Sequence, residues 1–164
     1  MHNQILPRAI SIANRAHRYQ TRKFSGLPYI VHPLEVMSIL ERYGVTDEKV
    51  LAAAVLHDVI EDCHEIFEND IRELSTDVHV MVRALTKSPS ESETNKKLIE
   101  GGFNVQLIKT ADIASNTREP ILGINYLRKK LNQLHMFDEV IGHELHSNTI
   151  ASIILTLEKT GYYQ

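Results

Sequence analysis

The chain has 164 residues, of which 43% are hydrophobic and 24% are charged, and these ordinary values exclude a disordered or fibrous protein. Its formal net charge of -3 argues against a general affinity for nucleic acid or anionic membranes. The single cysteine, Cys63, excludes an internal disulfide, and no stretch approaches the roughly 20 apolar residues of a membrane span. We therefore expect one soluble, cytoplasmic domain over residues 1–164.

Apolar residues recur at helical spacing from the beginning of the chain. They predict a first helix over about residues 4–20, with one buried face. Gly26 and Pro28 interrupt the pattern and predict a loop over residues 22–31. Pro33 suits the first turn of a second helix, since a proline at this position sacrifices no helical hydrogen bond.

The second helix is predicted to end at Gly44, because glycine readily takes the left-handed conformation that terminates helices. Asp47 is predicted to cap a third, central helix that runs to about Asp62. Its three consecutive alanines, residues 52–54, allow neighbouring helices to approach closely. Further helices are predicted over about residues 65–86, 92–100, 103–117, 122–136 and 139–160. The fold class that follows is all-α.

Titratable side chains are concentrated at the end of the third predicted helix. His57, Asp58, Glu61 and Asp62 occupy positions i, i+1, i+4 and i+5, which a helical period groups on one side of the helix end. The apolar run over residues 51–56 leads directly into this group, where unpaired charges would be unfavourable. A bound cation would relieve that cost.

For an isolated His-Asp pair, the more common interpretation is a charged helix end that faces solvent. Here His32 and Asp112 provide a second imidazole and a further carboxylate elsewhere in the chain. Mixed imidazole and carboxylate ligands suit manganese, iron or zinc, and the ligand types alone do not select among these metals. Read together, the four residues make two imidazoles and two carboxylates available to a cation.

Several short segments occur in an order and at spacings that are typical of one enzyme family. They are Ala16-His17, Arg22-Lys23, Pro28 to Pro33, Leu56 to Asp62, Thr86-Lys87 and Lys109 to Arg118. Through them, about residues 5–125 resemble the hydrolase domain of the RelA/SpoT family in the HD superfamily. That family includes the small stand-alone alarmone hydrolases and the metazoan SpoT homologues. The resemblance implies an HD-domain helical bundle.

The resemblance also implies roles for individual residues. One metal ion per chain, usually manganese, would be bound by His32, His57, Asp58 and Asp112. Glu61 and Asp62 would be the catalytic pair that positions the attacking water and transfers protons. The nucleotide would be contacted by Arg22, Lys23, Ser25, Asn116 and Arg118.

The activity implied by the resemblance is 3′-pyrophosphohydrolysis of ppGpp and pppGpp, which yields GDP or GTP and pyrophosphate. The chain length leaves no room for the family's synthetase domain, so we expect it to degrade the alarmone rather than make it. Two alternatives stay open: an HD phosphohydrolase of another nucleotide, such as (p)ppApp or NADPH, and a non-catalytic nucleotide-binding module. The expected partner is a small nucleotide, and the sequence does not predict an oligomeric state.

Overall fold

The computed structural model describes residues 4–63, 66–118 and 122–160. Within these ranges the chain is helical, apart from turns and an isolated bridge between Thr21 and Pro28. The helices are α1 (Ile5–Ala16), α2 (Val31–Arg42), α3 (Glu48–Leu56), α4 (Val59–Asp62), α5 (Ile66–Leu74), α6 (Thr76–Leu85), α7 (Glu91–Glu100), α8 (Gly102–Asn116), α9 (Ile124–His135) and α10 (Glu144–Lys159). The predicted all-α fold class is confirmed. No helix in the described ranges combines the length and apolar character needed to cross a bilayer.

Two of the predicted helices are each divided in the structure. The helix predicted over residues 47–62 is interrupted at His57-Asp58, which separates α3 from α4. The helix predicted over residues 65–86 is interrupted at Ser75, whose backbone is extended and whose Oγ accepts a hydrogen bond from the Val78 amide at 3.4 Å. A serine in this position caps a new helix, and hydrophobic periodicity does not detect such a local bond.

The first and last predicted helices are shorter in the structure. Helix α1 ends at Ala16 rather than near residue 20, and the chain then turns toward the loop before α2. Helix α10 begins at Glu144 rather than at 139, because Gly142 takes a left-handed φ of 84° and His143 is extended. The Nδ1 atom of His143 accepts a hydrogen bond from the Leu145 amide at 3.2 Å and caps α10.

Helix α3 forms the centre of the bundle. All its residues from Val50 to Leu56 are buried, and it packs against α1, α2, α6 and α8. The Ala52, Ala53 and Ala54 side chains have no exposed surface, and their small size lets the surrounding helices approach. Helices α2 and α8 also pack against each other. Side chains from α2, the end of α3 and α8 are thereby brought together.

The start of this central helix depends on one capping bond. Asp47 Oδ1 accepts a hydrogen bond from the Lys49 amide at 2.8 Å, as predicted for a capping residue. We expect Asp47→Ala to lower the free energy of unfolding by about 1 kcal/mol, because an amide of the first turn loses its partner. Asp47→Asn keeps the acceptor and should stay within a few tenths of a kcal/mol of the wild type. Urea denaturation measures the free energy of unfolding of both variants. An equal decrease in Asp47→Ala and Asp47→Asn would assign the effect to the charge of Asp47 rather than to its capping bond.

Candidate metal centre

Two histidines and two aspartates meet where α2, the end of α3 and α8 approach one another. His32 Nε2 lies 3.1 Å from Asp112 Oδ1 and 3.7 Å from Asp58 Oδ2. His57 Nε2 lies 3.0 Å from Asp58 Oδ2 and 3.6 Å from Asp112 Oδ1. Ligand atoms of His32, His57 and Asp112 all lie within 4.8 Å of one another, which is a spacing that can surround a single cation. The structure thus brings together all four predicted ligands.

Hydrogen bonds determine which nitrogen of each imidazole carries a proton when the ring is neutral. His57 Nδ1 lies 2.7 Å from the Ala54 carbonyl oxygen, which can only accept, so Nδ1 is the donor. The Ser115 hydroxyl donates to Glu35 Oε2 at 3.0 Å and therefore accepts from His32 Nδ1 at 3.1 Å. Both neutral rings direct an Nε2 lone pair toward the aspartates. Metal-binding histidines are oriented by the same kind of bond through their other nitrogen.

The electrostatics of the cluster favour a cation at its centre. His57 Nε2 is buried and has no hydrogen-bond partner among the described residues. Burial opposes protonation of His57, but the facing carboxylates of Asp58 and Asp112 outweigh that effect and raise its pKa to about 10. Lone pairs and carboxylate oxygens this close repel each other unless a proton or a metal ion lies between them. The residues present therefore fit a divalent metal ion.

Hydrogen-bond donors around the cluster hold the two carboxylates. The Tyr29 hydroxyl donates to Asp58 Oδ2 at 2.6 Å. Lys109 Nζ donates to Asp112 Oδ2, and Asn116 Nδ2 donates to Asp112 Oδ1, both at 2.7 Å. Burial raises the pKa of Asp112, but Lys109 and the histidines outweigh it and hold this pKa well below its usual range. Asp112 is therefore held ionised, and Lys109 and Asn116 set the orientation of its carboxylate.

Several of these supporting residues had no predicted role of their own. Tyr29, Lys109 and Ser115 are now seen to contact the predicted ligands directly, and Glu35 lies behind Ser115. The first three fall inside the segments that carry the family resemblance, which was the available signal. Periodicity could not identify them, because their function depends on contacts between separate helices.

The predicted catalytic pair lies on α4, next to the cluster. The Glu61 carboxylate is bonded to Lys87 through the Lys87 side chain and, at 3.2 Å, through its backbone amide. Burial and the neighbouring carboxylates of Asp58 and Glu61 raise the pKa of Asp62. Because the chain bends at His57-Asp58, these acidic residues do not continue one helical face as predicted, but Asp62 still experiences the charge of the cluster.

Two of the predicted nucleotide-binding residues are joined to the cluster. Arg22 Nη2 donates to Asn116 Oδ1 at 3.2 Å, and the amide nitrogen of Asn116 bonds to Asp112. Asn116 is thereby held between the loop before α2 and a predicted metal ligand. Any group bound beside Arg22 would lie close to the metal centre.

The other three predicted nucleotide-binding residues are more exposed. Lys23 and Ser25 lie in the loop around Gly26, which has a left-handed φ of 69°. Arg118 Nη1 is paired with Glu35 Oε1 at 2.9 Å. The structure therefore places Arg118 behind His32 through Glu35 and Ser115, and leaves Lys23 and Ser25 at the solvent-facing rim.

Comparisons with known proteins identify the family to which the chain belongs. The model of the HD domain family matches residues 9–115. The chain is 33% identical to a guanosine-3′,5′-bis(diphosphate) 3′-pyrophosphohydrolase, MESH1 of Danio rerio, over 70% of the chain and 68% of that protein. A solved structure of a metazoan SpoT ortholog that hydrolyzes ppGpp matches with a TM-score of 0.75 and 26% identity, over 97% of both chains.

Longer bacterial proteins are also similar to the chain. A GTP pyrophosphokinase of Streptomyces coelicolor is 34% identical over 88% of the chain, but the match covers only 18% of that protein. The chain therefore spans about a fifth of the length of these curated relatives, with 18% and 21% in the two first matches. The shared part is the region that contains the metal centre.

We expect Ser115→Ala to weaken metal binding by roughly tenfold or more, because His32 loses the acceptor that fixes its Nδ1 proton. Thr117→Ala is the matched control, since its hydroxyl donates to the Ala114 carbonyl near the end of α8 and, among the described residues, bonds to no predicted ligand. Competition of each variant with a fluorescent chelator for Mn²⁺ measures the affinity. Equal affinity of Ser115→Ala and the wild type would show that this hydroxyl does not support the ligand.

Proposed function

The chain belongs to the HD-domain family and is similar to the animal MESH1 proteins, and from that premise we propose that it is a metal-dependent 3′-pyrophosphohydrolase of ppGpp and pppGpp. Water attacks the phosphorus atom that is bonded to the 3′ oxygen, and the bond between this phosphorus and the 3′ oxygen breaks. The products are GDP or GTP and pyrophosphate. The observation that carries the proposal is the buried cluster of His32, His57, Asp58 and Asp112.

Manganese is the metal that we propose for this cluster, because the resemblance to the RelA/SpoT hydrolases implies it and the mixed imidazole and carboxylate ligands present are compatible with it. His32 and His57 would offer Nε2, and Asp58 and Asp112 would offer carboxylate oxygens. When bound, such a divalent ion lowers the pKa of a coordinated water and offsets charge on a phosphoryl oxygen. Tyr29 and Lys109 keep the aspartates ionised and oriented for this purpose.

Proton transfer falls to the acidic pair on α4. The raised pKa of Asp62 makes its carboxylate a stronger base than an ordinary aspartate, so it can accept the proton of the attacking water. Glu61 is held in place by Lys87 and orients the same water. The leaving 3′ oxygen must gain a proton, which protonated Asp62 can return.

The nucleoside is proposed to lie against the loop between α1 and α2. Arg22 can stack on the base, and Asn116 can contact the ribose beside the cluster, since these two side chains touch each other. Lys23, Ser25 and Arg118 would complete the rim of the nucleotide site. A cytoplasmic location and the absence of nucleic-acid or membrane partners stay predictions from the sequence.

Incubation of the pure protein with ppGpp and Mn²⁺ tests the proposed reaction. We expect GDP and pyrophosphate in equal amounts, with activity lost after metal chelation and in His57→Ala. The control is His135→Ala, because His135 is an exposed histidine at the end of α9. Release of orthophosphate would contradict the proposed reaction. Faster turnover of ppApp or NADPH than of ppGpp would contradict the proposed substrate.

The role of Asp62 is tested separately from metal binding. Asp62→Asn should lower kcat by about 100-fold or more, which is the range for loss of a general base, while the bound metal content stays unchanged. Asp77→Asn removes an equal charge from the surface, where Asp77 pairs with Lys49 at 2.5 Å, and should leave kcat near the wild-type value. Steady-state kinetics and metal analysis give the two readouts. A normal kcat in Asp62→Asn would exclude Asp62 as the base.

A further inference from the structure

A pocket lined by lysines lies beside the metal centre. It encloses about 270 Å³ between the loop after α6 and helices α7, α8 and α9. Its cationic lining consists of Lys87, Lys109, Lys129 and Lys130. This volume lies just below the roughly 300 Å³ at which pockets for whole small molecules begin, so it suits a part of a nucleotide.

Two of these lysines connect the pocket to the reacting groups. Lys109 lines the pocket and donates to Asp112 Oδ2 at 2.7 Å. Lys87 lines the same pocket and bonds to the Glu61 carboxylate. A group bound in the pocket would therefore lie next to both the predicted metal ligand and the predicted catalytic pair.

Lys130 differs from the other three lysines in its partners. Lys129 pairs with Glu91 at 2.9 Å, as Lys87 and Lys109 pair with their own carboxylates. Lys130 is half-buried, and no carboxylate lies within ion-pair distance of it in the described part of the chain. Burial and the nearby positive charge of Lys109 lower the pKa of Lys130 to about 8.

The polar atoms around Lys130 also favour an anion. Lys130 Nζ donates to Gln133 Oε1 at 3.3 Å and lies 5.5 Å from the centre of the Tyr126 ring. The Gln133 amide nitrogen donates to Asn95 Oδ1 at 2.8 Å, which leaves the Asn95 amide hydrogens to serve as donors. An ammonium group carries three donors and no acceptor, so an oxyanion satisfies this lining better than a neutral group does.

We propose that this lysine pocket binds a diphosphate group, with Lys130 as the principal contact. The inference rests on the proposed function, which supplies two sources of that chemistry. One is the second diphosphate of the substrate, at its 5′ end, and the other is the pyrophosphate that leaves the 3′ position. Either group carries the negative charge with which Lys130 can form an ion pair.

Calorimetric titration of the metal-loaded protein with inorganic pyrophosphate tests the pocket without requiring turnover. We expect Lys130→Gln to bind pyrophosphate roughly tenfold more weakly than the wild type, because a charge-assisted contact is lost. Lys130→Arg keeps the charge and should retain most of the affinity. Lys96→Gln is the matched control, since Lys96 pairs with Glu100 on α7 outside this pocket. Equal affinity in Lys130→Gln and the wild type would overturn the proposal.

Kinetics with two substrates then separate the sources. If the pocket holds the 5′ diphosphate, Lys130→Gln raises KM for ppGpp but not for guanosine 3′-diphosphate, which lacks 5′ phosphates. If the pocket holds the leaving group, Lys130→Gln lowers kcat for both substrates, and pyrophosphate inhibits the variant less than it inhibits the wild type. Unchanged kinetics with both substrates would again overturn the proposal. Pyrophosphate binding that depends on Lys130 in a protein unable to cleave ppGpp would refute the proposed reaction and leave the pocket assignment standing.

Discussion

The constraint on which the rest of the structure depends is the burial of two aspartates against two imidazole lone pairs. Asp58 and Asp112 can stay ionised in the interior only when donors and a cation offset their lost hydration. Tyr29 and Lys109 provide the donors, and each comes from a different part of the chain. The helical bundle must therefore hold α2, α3 and α8 in one fixed arrangement for the site to exist.

The bend between α3 and α4 follows from the same constraint. In an unbroken helix, consecutive side chains point about 100° apart, whereas His57 Nε2 and Asp58 Oδ2 lie 3.0 Å from each other here. The backbone of Asp58, with φ of -98° and ψ of -7°, departs from regular helical geometry and lets both side chains reach the cluster. A sequence pattern with a helical period predicts one continuous helix here. The break therefore lies at the two predicted ligands, where hydrophobic periodicity gives no signal for it.

The sequence predicts the fold wherever apolar residues recur at helical spacing, because these residues form the buried side of a helix. The apolar run of residues located α3, and the preference for aspartate at a helix N-terminus located its cap at Asp47, but periodicity missed the break at Ser75, which depends on a short-range side-chain bond. The metal ligands are separated along the chain, so their assignment came from the family resemblance. The contact between Ser115 and His32 was not predictable, because it requires the packing of α8 on α2.

The net charge of -3 conceals an asymmetric distribution of charge around the site. Carboxylates of Asp58, Asp62 and Asp112 gather on the side that suits a metal ion, whereas lysines line the adjoining pocket. Each group alone would be unfavourable, since like charges at close range repel and burial removes their hydration. Lys109 belongs to both groups and lowers the repulsion on either side. A bound metal ion would offset the charge of the carboxylates, and a bound diphosphate would offset the charge of the lysines. The site is therefore complementary to the two ligands together rather than to either one alone.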